Sequence, residues 1–346
     1  MTLLLMGVVW IAGLQGCSDG KIKEDESTGN SAEKVNVVSI DNISGNQKEE
    51  NSLDDWEENL IVGDEQEVSA KAIRGVRLTK EGTPIFAVSY EPRTYKNSYD
   101  CWSLSIPYES WVSVDTEGVY LVFDAIEGMS LEPAGELKDV DTGLDSSDTS
   151  FFVAYNSEQG GQEVGQALPD KGITYWIGNQ NPEGEWYVKT SADDQIWLAS
   201  DEAVEQIYGV NPFDCILKVV NVVSVETVSR VEIVRDKDVF EMAVQDKTYK
   251  LGGKEVESSK FFDLYTALMS IYIDMEIPEI HPEAESRDAL LTITYHRNME
   301  EAPQITCSFY DYDENYASVN VNGTEFFLVN KSDLQSLEKI IESAFV

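Results

Sequence analysis

The feature that most constrains the fold is a repeated order of strand and helix patterns, which occurs twice after residue 71. Apolar residues alternate at the start of each copy, in AIRGVRLTKEG (72–82) and in TVSRVEIVRDKD (227–238). A second strand and an aromatic-x-Leu strand follow: PIFAVSY (84–90) and CWSLSIP (101–107) in the first copy, VFEMAVQ (239–245) and TYKLGG (248–253) in the second. Internal repetition of this kind predicts two modules built on one plan.

Each copy continues with a helix pattern. In SSKFFDLYTALMSIYID (258–274) the apolar residues recur at helical spacing, whereas Gly118 weakens the equivalent prediction in VDTEGVYLVFDAIEGM (114–129). A strand, a hairpin and a closing helix come next: SFFVAYN (150–156), EWYVKTSADDQIWLAS (185–200) and SDEAVEQIYG (200–209) in the first copy, and ALLTITYH (289–296), YASVNVNGTEFFLVN (316–330) and KSDLQSLEKIIESAF (331–345) in the second. Ser332 and Gln335 match a capping box in the last helix.

These patterns predict an α+β fold of two related modules, each a mostly antiparallel sheet with packed helices. We expect the first module to cover residues 69–212 and the second to cover 213–346. The charge balance limits the partners, because 64 acidic residues against 25 basic ones give a net charge of −39. A field of this sign repels phosphate backbones and anionic lipid headgroups, so we expect no nucleic acid partner and no membrane binding through surface charge.

The amino terminus has a different character from the rest of the chain. Residues 3–14, LLLMGVVWIAGL, are apolar but too short to span a bilayer, and their length is typical of a secretory signal. The next residues complete LQGC, which resembles the lipobox of bacterial lipoproteins. Leu14 and Gly16 are then the signal peptidase recognition residues, and Cys17 carries the lipid. Residues 1–16 are therefore predicted to be a lipoprotein signal peptide, with a buried helix as the alternative.

One feature departs from the usual signal, because the first basic residue, Lys21, lies after the cysteine. Either the true start lies upstream of Met1 or the charge rule is relaxed. Residues 17–68 are expected to form a disordered acidic tether, since residues 18–68 hold 15 acidic and 4 basic residues and few apolar ones. Within the tether, LDDWEENLIV (53–62) is the stretch that is expected to form a transient helix or to dock.

The folded part resembles the bacterial family called domain of unknown function 4340 over roughly residues 72–275. The resemblance depends on a Trp-x-Leu strand with a following Pro and Val-Asp, on a Gly-Leu-Asp turn, on an IG…P.G..YV segment with an aliphatic pair, and on a reopening strand: Trp102, Leu104, Pro107, Val114, Asp115, Gly143, Leu144, Asp145, Ile177, Gly178, Pro182, Gly184, Tyr187, Val188, Ile196, Leu198 and Val228 to Ile233. Ser147 stands where members often have Pro. The resemblance implies a membrane-anchored envelope protein associated with an ABC-type membrane complex, and it brings no known catalytic residues.

A search for catalytic chemistry finds little. The chain has two histidines, His281 and His296, and lacks a G-x-S-x-G nucleophile elbow. His296 with Asp311 or Asp313 is the one triad-like arrangement that the sequence leaves open. The acidic loops DVDTGLD (139–145) and DYDEN (311–315) are weak calcium candidates, because neither has the spacing of an EF-hand loop. We therefore predict no catalytic residue, no metal and no cofactor.

The cysteines and tryptophans complete the candidate residues. With Cys17 lipidated, Cys101, Cys215 and Cys307 are expected to be small buried thiols. Because the chain is predicted to be exported, a Cys101–Cys215 or a Cys215–Cys307 disulfide is the alternative. Trp176 and Trp186 bracket the polar loop IGNQNPEGE, and we expect at least one of them to be exposed as part of a binding surface.

The functional prediction is a non-enzymatic lipoprotein on the outer face of the cell membrane, held by lipid on Cys17. We expect its modules to bind a protein partner, which by the family resemblance is an ABC-type transporter complex. The alternative is an extracellular ligand-binding lipoprotein, and a hydrolase is a third hypothesis.

Overall fold

The computed structural model describes residues 53–64, 68–91, 102–108, 112–157, 168–278, 287–300 and 302–346. These residues belong to one compact unit, Glu50–Val346. They form two nine-stranded sheets and five α-helices. No helix in the described ranges is long and apolar enough to span a bilayer.

The first sheet is antiparallel except for one two-residue pairing, which is parallel. Its strands are β1 (Ile61–Val62), β2 (Ile73–Lys80), β3 (Thr83–Tyr90), β4 (Trp102–Ile106), β5 (Glu132–Pro133), β6 (Ser150–Tyr155), β7 (Lys171–Gln180), β8 (Trp186–Thr190) and β9 (Ile196–Ala199). They lie in the order β4-β3-β2-β6-β7-β8-β9-β5, and β1 pairs in parallel with β7.

The second sheet follows the same path. Its strands are β10 (Val228–Arg235), β11 (Asp238–Gln245), β12 (Thr248–Leu251), β13 (Lys254–Val256), β14 (Met275–Glu276), β15 (Leu291–Arg297), β16 (Gln304–Asp311), β17 (Tyr316–Val321) and β18 (Thr324–Asn330). Their order is β13-β12-β11-β10-β15-β16-β17-β18-β14. With β1 and β13 set aside, each strand of the first sheet has a counterpart at the same place in the second.

The helices repeat in the same way. They are α1 (Leu53–Asn59), α2 (Thr116–Glu127), α3 (Asp201–Tyr208), α4 (Ser258–Met269) and α5 (Lys331–Ala344). Helices α2 and α4 follow the third strand of their sheets, and α3 and α5 follow the last hairpin. The α+β fold of two similar modules is therefore confirmed.

The two modules share one hydrophobic core. Helix α2 buries Val119, Val122, Phe123 and Ile126, and α4 buries Phe261, Leu264, Tyr265 and Leu268, which are the apolar positions expected from helical spacing. A single cluster of buried side chains extends from these helices through both sheets. Residue 212 thus separates two repeats of one topology. That it is also a boundary between two domains stays a prediction.

The amino-terminal part of the body differs from the prediction. Residues 53–64 were placed in the predicted disordered tether, but they form α1 and β1. Of the two alternatives given for residues 53–62, a transient helix or docking, the structure shows docking on the body. Helix α1 packs on the face of the first sheet opposite α2, where Leu53 and Trp56 bury themselves against Phe152. Gly75 leaves room for this contact, because a Cβ there would lie 2.7 Å from a methyl carbon of Leu53. Val68, the last residue of the predicted tether, is also buried in the core. The signal peptide and residues 17–52 and 65–67 of the predicted tether lie outside the described residues.

One smaller prediction is also wrong. The side chain of Asn330, rather than Ser332, caps α5, since its Oδ1 accepts a hydrogen bond from the Ser332 amide at 2.9 Å. The expectation for the cysteines is confirmed for Cys215 and Cys307, which are both buried free thiols, so neither alternative disulfide forms. The Cys307 sulfur instead accepts a hydrogen bond from Asn221 Nδ2 at 2.8 Å. Cys101 lies outside the described residues.

Candidate functional site

The two tryptophans of the predicted binding surface lie on opposite faces of the first sheet. Trp176 pairs with Lys189 across β7 and β8, and Trp186 precedes Lys189 by three residues. Because side chains alternate along a strand, Trp186 faces the side opposite Trp176. The structure therefore does not bring them together, and each lines a separate cavity. Whether either binds a partner stays a prediction.

The cavity at Trp176 is an open polar basin of about 700 Å³. Its lining includes Asp145, Lys189 and Asp194. The charges of Lys189 and Asp194 already face each other at 3.5 Å. In the turn beside the basin, the Asp141 carboxylate is already used within the turn, because its Oδ1 accepts a hydrogen bond from the Gly143 amide at 3.1 Å. We find no arrangement in this basin that favours one ligand.

The cavity at Trp186, which we call the acidic groove, has a volume of about 650 Å³. It lies where the ends of β2, β7 and β8 meet helix α3. Buried Ile177 and Val204 form its apolar part, with the rings of Trp186 and Tyr208 beside them. Four exposed charged residues line its rim: Lys80, Glu81, Asp201 and Glu205.

Asp201 is held in a defined position. Ser200 caps α3 through the Ala203 amide, so Asp201 is the first residue of the helix, where a carboxylate is favoured by the helix dipole. Its Oδ1 accepts hydrogen bonds from Gln180 Nε2 at 2.7 Å and from Trp186 Nε1 at 2.8 Å. The second of these bonds also fixes the indole ring.

Glu205 lies one helical turn after Asp201, on the same face of α3. Two carboxylates at this spacing repel each other unless a cation lies between them. Among the described residues, no lysine or arginine forms an ion pair with Asp201, Glu205 or Glu81. The rim of the acidic groove therefore carries negative charge that the described parts of the chain leave unpaired.

Tyr208 adds an unused polar group. Its hydroxyl is buried and has no hydrogen-bond partner among the described residues. Burial raises the pKa of the Tyr208 phenol above its ordinary value, so the group stays protonated and neutral. The ring itself packs edge-on against Phe151, with centroids 6.5 Å apart.

The second module has a cavity at the equivalent place, which we call the paired groove, of about 480 Å³. Both of its cations are paired with carboxylates. Lys331, the first residue of α5, contacts the Asp311 carboxylate and the backbone carbonyl of Asp313. Arg235 pairs with Glu342 at 2.8 Å and faces Glu338 at 4.0 Å.

The two grooves can be compared position by position through the pairings of β8 and β17, which we use because the register of β7 shifts between Ile177 and Gln180. In the first module Gln180 pairs with Trp186, and Trp186 with Ala199, the residue before the helix cap. In the second, Asp311 pairs with Ala317, and Ala317 with Val329, which also precedes the cap. The equivalent positions are therefore Gln180 and Asp311, Trp186 and Ala317, Asp201 and Lys331, Glu205 and Gln335, and Tyr208 and Glu338.

The triad-like arrangement at His296 is wrong. His296 pairs with Gln304, seven residues from Asp311 along β16, which is roughly 23 Å at the rise of a strand. Its Nε2 lies 2.9 Å from Arg230 Nη2. Burial and the Arg230 charge both lower the pKa of His296, so the imidazole is neutral at pH 7. His281 lies outside the described residues.

The acidic loops behave as turns. Asp313 Oδ1 accepts hydrogen bonds from the amides of Asn315 and Tyr316, both at 2.7 Å. In the described parts of the chain, no group of three or more His, Cys, Asp or Glu side chains is placed to hold a metal ion.

Sequence reasoning found Trp186 but missed Gln180, Asp201, Glu205 and Tyr208. The acidic start of SDEAVEQIYG was visible, but nothing in the sequence distinguishes it from an ordinary solvated helix start. The lipidation residues Leu14, Gly16 and Cys17 lie outside the described residues. No family model, curated protein or solved structure matches this chain, so the resemblance to the domain of unknown function 4340 family stays a prediction.

Proposed function

We propose that this chain is a lipid-anchored extracytoplasmic protein whose folded body binds a protein partner and catalyses no reaction. The observation that carries the proposal is the acidic groove, an open recess with aromatic walls and unpaired carboxylates on its rim. Tryptophan and tyrosine, which form these walls, are enriched in binding hot spots. The partner, by family resemblance alone, is an ABC-type membrane complex.

The amino terminus supports the anchored location. The LQGC sequence, which resembles a lipobox, has Cys17 directly after a short apolar segment. Thirty-five residues, 18–52, lie between Cys17 and Leu53, the first residue of α1. Fully extended, such a segment spans at most about 120 Å. The groove could then reach a partner well above the outer face of the membrane.

A second candidate function is a lipoprotein that captures a small extracellular ligand. The size of the acidic groove favours it, since about 650 Å³ lies within the range of small-molecule pockets. Against it stands the exposure of all four rim residues, which leaves a small ligand largely in water.

The anchor is tested by replacing Cys17. We expect Cys17→Ala to lose incorporation of labelled palmitate and to move from the membrane fraction to the soluble fraction. Cys101→Ala is the matched control and should keep both the label and the membrane location. A Cys17→Ala protein that stays with the membrane fraction without label would overturn the proposed anchor.

The partner is tested by photo-crosslinking in intact cells. A photoreactive amino acid at position 206 lies on α3 next to the acidic groove and leaves its lining intact, and position 336 is the equivalent on α5. We expect a covalent adduct with a transporter subunit from position 206 and none from position 336. Failure of position 206 to capture any protein, under conditions where the chain is lipidated, contradicts a protein-binding role for this groove.

A further inference from the structure

We propose that the acidic groove receives a lysine or arginine side chain of the protein partner, at the place where the second module holds its own Lys331. This inference rests on the proposed function and adds the chemistry of the partner to it. The argument comes from the internal repeat, which provides two versions of one site in a single chain.

The second module shows how the site is filled. There the first residue of the helix is Lys331, and its ammonium group contacts the Asp311 carboxylate and the Asp313 carbonyl. The side chain of Lys331 is only 21% exposed. The paired groove therefore contains a cation supplied by the chain itself.

The first module has the same positions with the charges changed. Asp201 takes the place of Lys331, and Gln180 takes the place of Asp311. The hydrogen bond from Gln180 to Asp201 stands where the second module has an ion pair. An acid is therefore present in both modules, but in the first one Lys80, the cation on the rim, forms no ion pair with it among the described residues.

The aromatic side chain that lines the groove also differs between the two modules. Trp186 lines the acidic groove, and its counterpart in the second module is Ala317. An indole face attracts a cation and the apolar stem that carries it. The ring is thus present in the module that lacks an internal lysine at this place, and absent from the module that has one.

Tyr208 also differs from its counterpart in the second module. That counterpart is Glu338, which faces Arg235. In the first module the counterpart of Arg235 is Lys80, which forms no ion pair among the described residues. At this position the first module therefore has a neutral ring where the second has a carboxylate.

The solvent exposure of the rim carboxylates favours a basic side chain of a protein partner, rather than a free amine, as the ligand. Asp201 and Glu205 are solvent-exposed, and ion pairs at exposed carboxylates contribute little by themselves. A free amine would therefore bind weakly, whereas a protein segment adds contacts along the groove. The net charge of −39 also steers basic partners toward the molecule.

The test uses the full chain and two capped nonapeptides with three arginines or three citrullines at the same positions. Citrulline keeps the shape of arginine without its charge. We expect the arginine peptide to bind at least tenfold more tightly than the citrulline peptide at low salt. The double variant Asp201→Asn, Glu205→Gln should lose at least this tenfold preference.

The control variant is Glu202→Gln, Asp236→Asn, which removes the same two charges outside the acidic groove and should keep the preference. Equal binding of both peptides, an unchanged preference in the groove variant, or an equal loss in the control variant would each overturn the proposal. So would capped free arginine that binds as tightly as the peptide. A protein adduct from position 206 without an arginine preference would contradict this inference and leave the proposed function intact. Absence of the adduct would contradict the proposed function itself.

Discussion

At the scale of single residues, Gly118 reverses the expectation from helix propensity. It lies in the first turn of α2, where alanine is intrinsically more favourable than glycine by about 1 kcal/mol. A Cβ at this position would lie 2.3 Å from the carbonyl oxygen of Asp214 and 3.0 Å from Cα of Cys215. Both are backbone atoms of the segment that joins the two modules, and that segment is held by a 2.9 Å hydrogen bond from the Asp115 amide to the Cys215 carbonyl.

We therefore predict that Gly118→Ala destabilises the protein by about 1–3 kcal/mol, the usual cost of overpacking. Urea unfolding measures the change. Thr116→Ala, at an exposed position of the same helix, is the control and should stay within about 0.5 kcal/mol. An increase in stability for Gly118→Ala would mean that the joining segment can move away at no cost.

The buried thiols allow a second prediction at this scale. Burial raises the pKa of Cys215 to about 11 and that of Cys307 to about 12. Both thiols therefore stay protonated in the folded state, and in a Cys17→Ala, Cys101→Ala chain we expect no reaction with a thiol reagent at pH 8 and two reactive thiols after unfolding. A cysteine introduced by Ser343→Cys, on the exposed side of α5, should react at once.

The same shifts determine how stability depends on pH. Unfolded thiols ionise near pH 9, below their folded pKa values, so the unfolded state binds fewer protons than the folded state above that pH. The contribution of Cys215 and Cys307 is fully present below about pH 8 and is lost as the pH rises from 9 toward 12. Stability that rises over this interval would contradict the assignment of buried neutral thiols.

At the scale of elements, helix α5 shows why a capping pattern alone was not enough. The sequence offers two good caps two residues apart, Asn330 and Ser332. Strand β18 ends at Asn330, and the helix begins at the next residue. The pairing of the strand therefore determines which side chain is free to cap.

We expect Asn330→Ala to cost about 1 kcal/mol of unfolding free energy, the usual value of a lost cap. Ser332→Ala should change stability by only a few tenths of that amount, because its hydroxyl caps no amide. The two variants, compared in one series of urea denaturation curves, check the assignment. A larger cost for Ser332→Ala would restore the capping box.

Helix α1 and strand β7 were not predicted from the sequence as they occur, and the reasons differ. Seven residues are too few for a helix that is stable alone, so α1 depends on the burial of Trp56 against the sheet. The sequence therefore indicated a transient helix or a docking segment at residues 53–62 and could not decide between them. Strand β7 was not placed in the repeat, although Ile173, Tyr175 and Ile177 alternate as a strand should.

At the scale of the whole molecule, one side chain connects the two repeats. Tyr108 follows β4 of the first module and is only 2% exposed. Its ring packs against Phe326 and Phe327 of the second module, with centroids 5.5 and 5.1 Å away, and its hydroxyl donates to Glu276 at 2.6 Å. The shared core and this contact should make the two modules unfold together.

We predict a single unfolding transition with the same midpoint for probes in either module. Tyr108→Phe, which keeps the ring, should cost about 1–2 kcal/mol through the lost hydrogen bond to a charged group. Tyr108→Ala should cost about 3–5 kcal/mol and should still leave one transition. Tyr272→Phe, at an exposed position, is the control with little expected effect. Two separate transitions in the wild-type chain would contradict the shared core.

Most of the order of strands and helices followed from the sequence, except strands such as β7 and β16, because alternation at period two and helical spacing at 3.6 are local properties that each segment carries by itself. The repeat followed for the same reason, as did the buried positions of α2 and α4. The acidic groove did not, because Gln180, Trp186 and Asp201 meet only after β7, β8 and α3 are placed side by side. The unpaired state of Asp201 and Glu205 is likewise a tertiary property, since it depends on which cations the fold brings near, and Lys331 shows that an equivalent position can be neutralised from within.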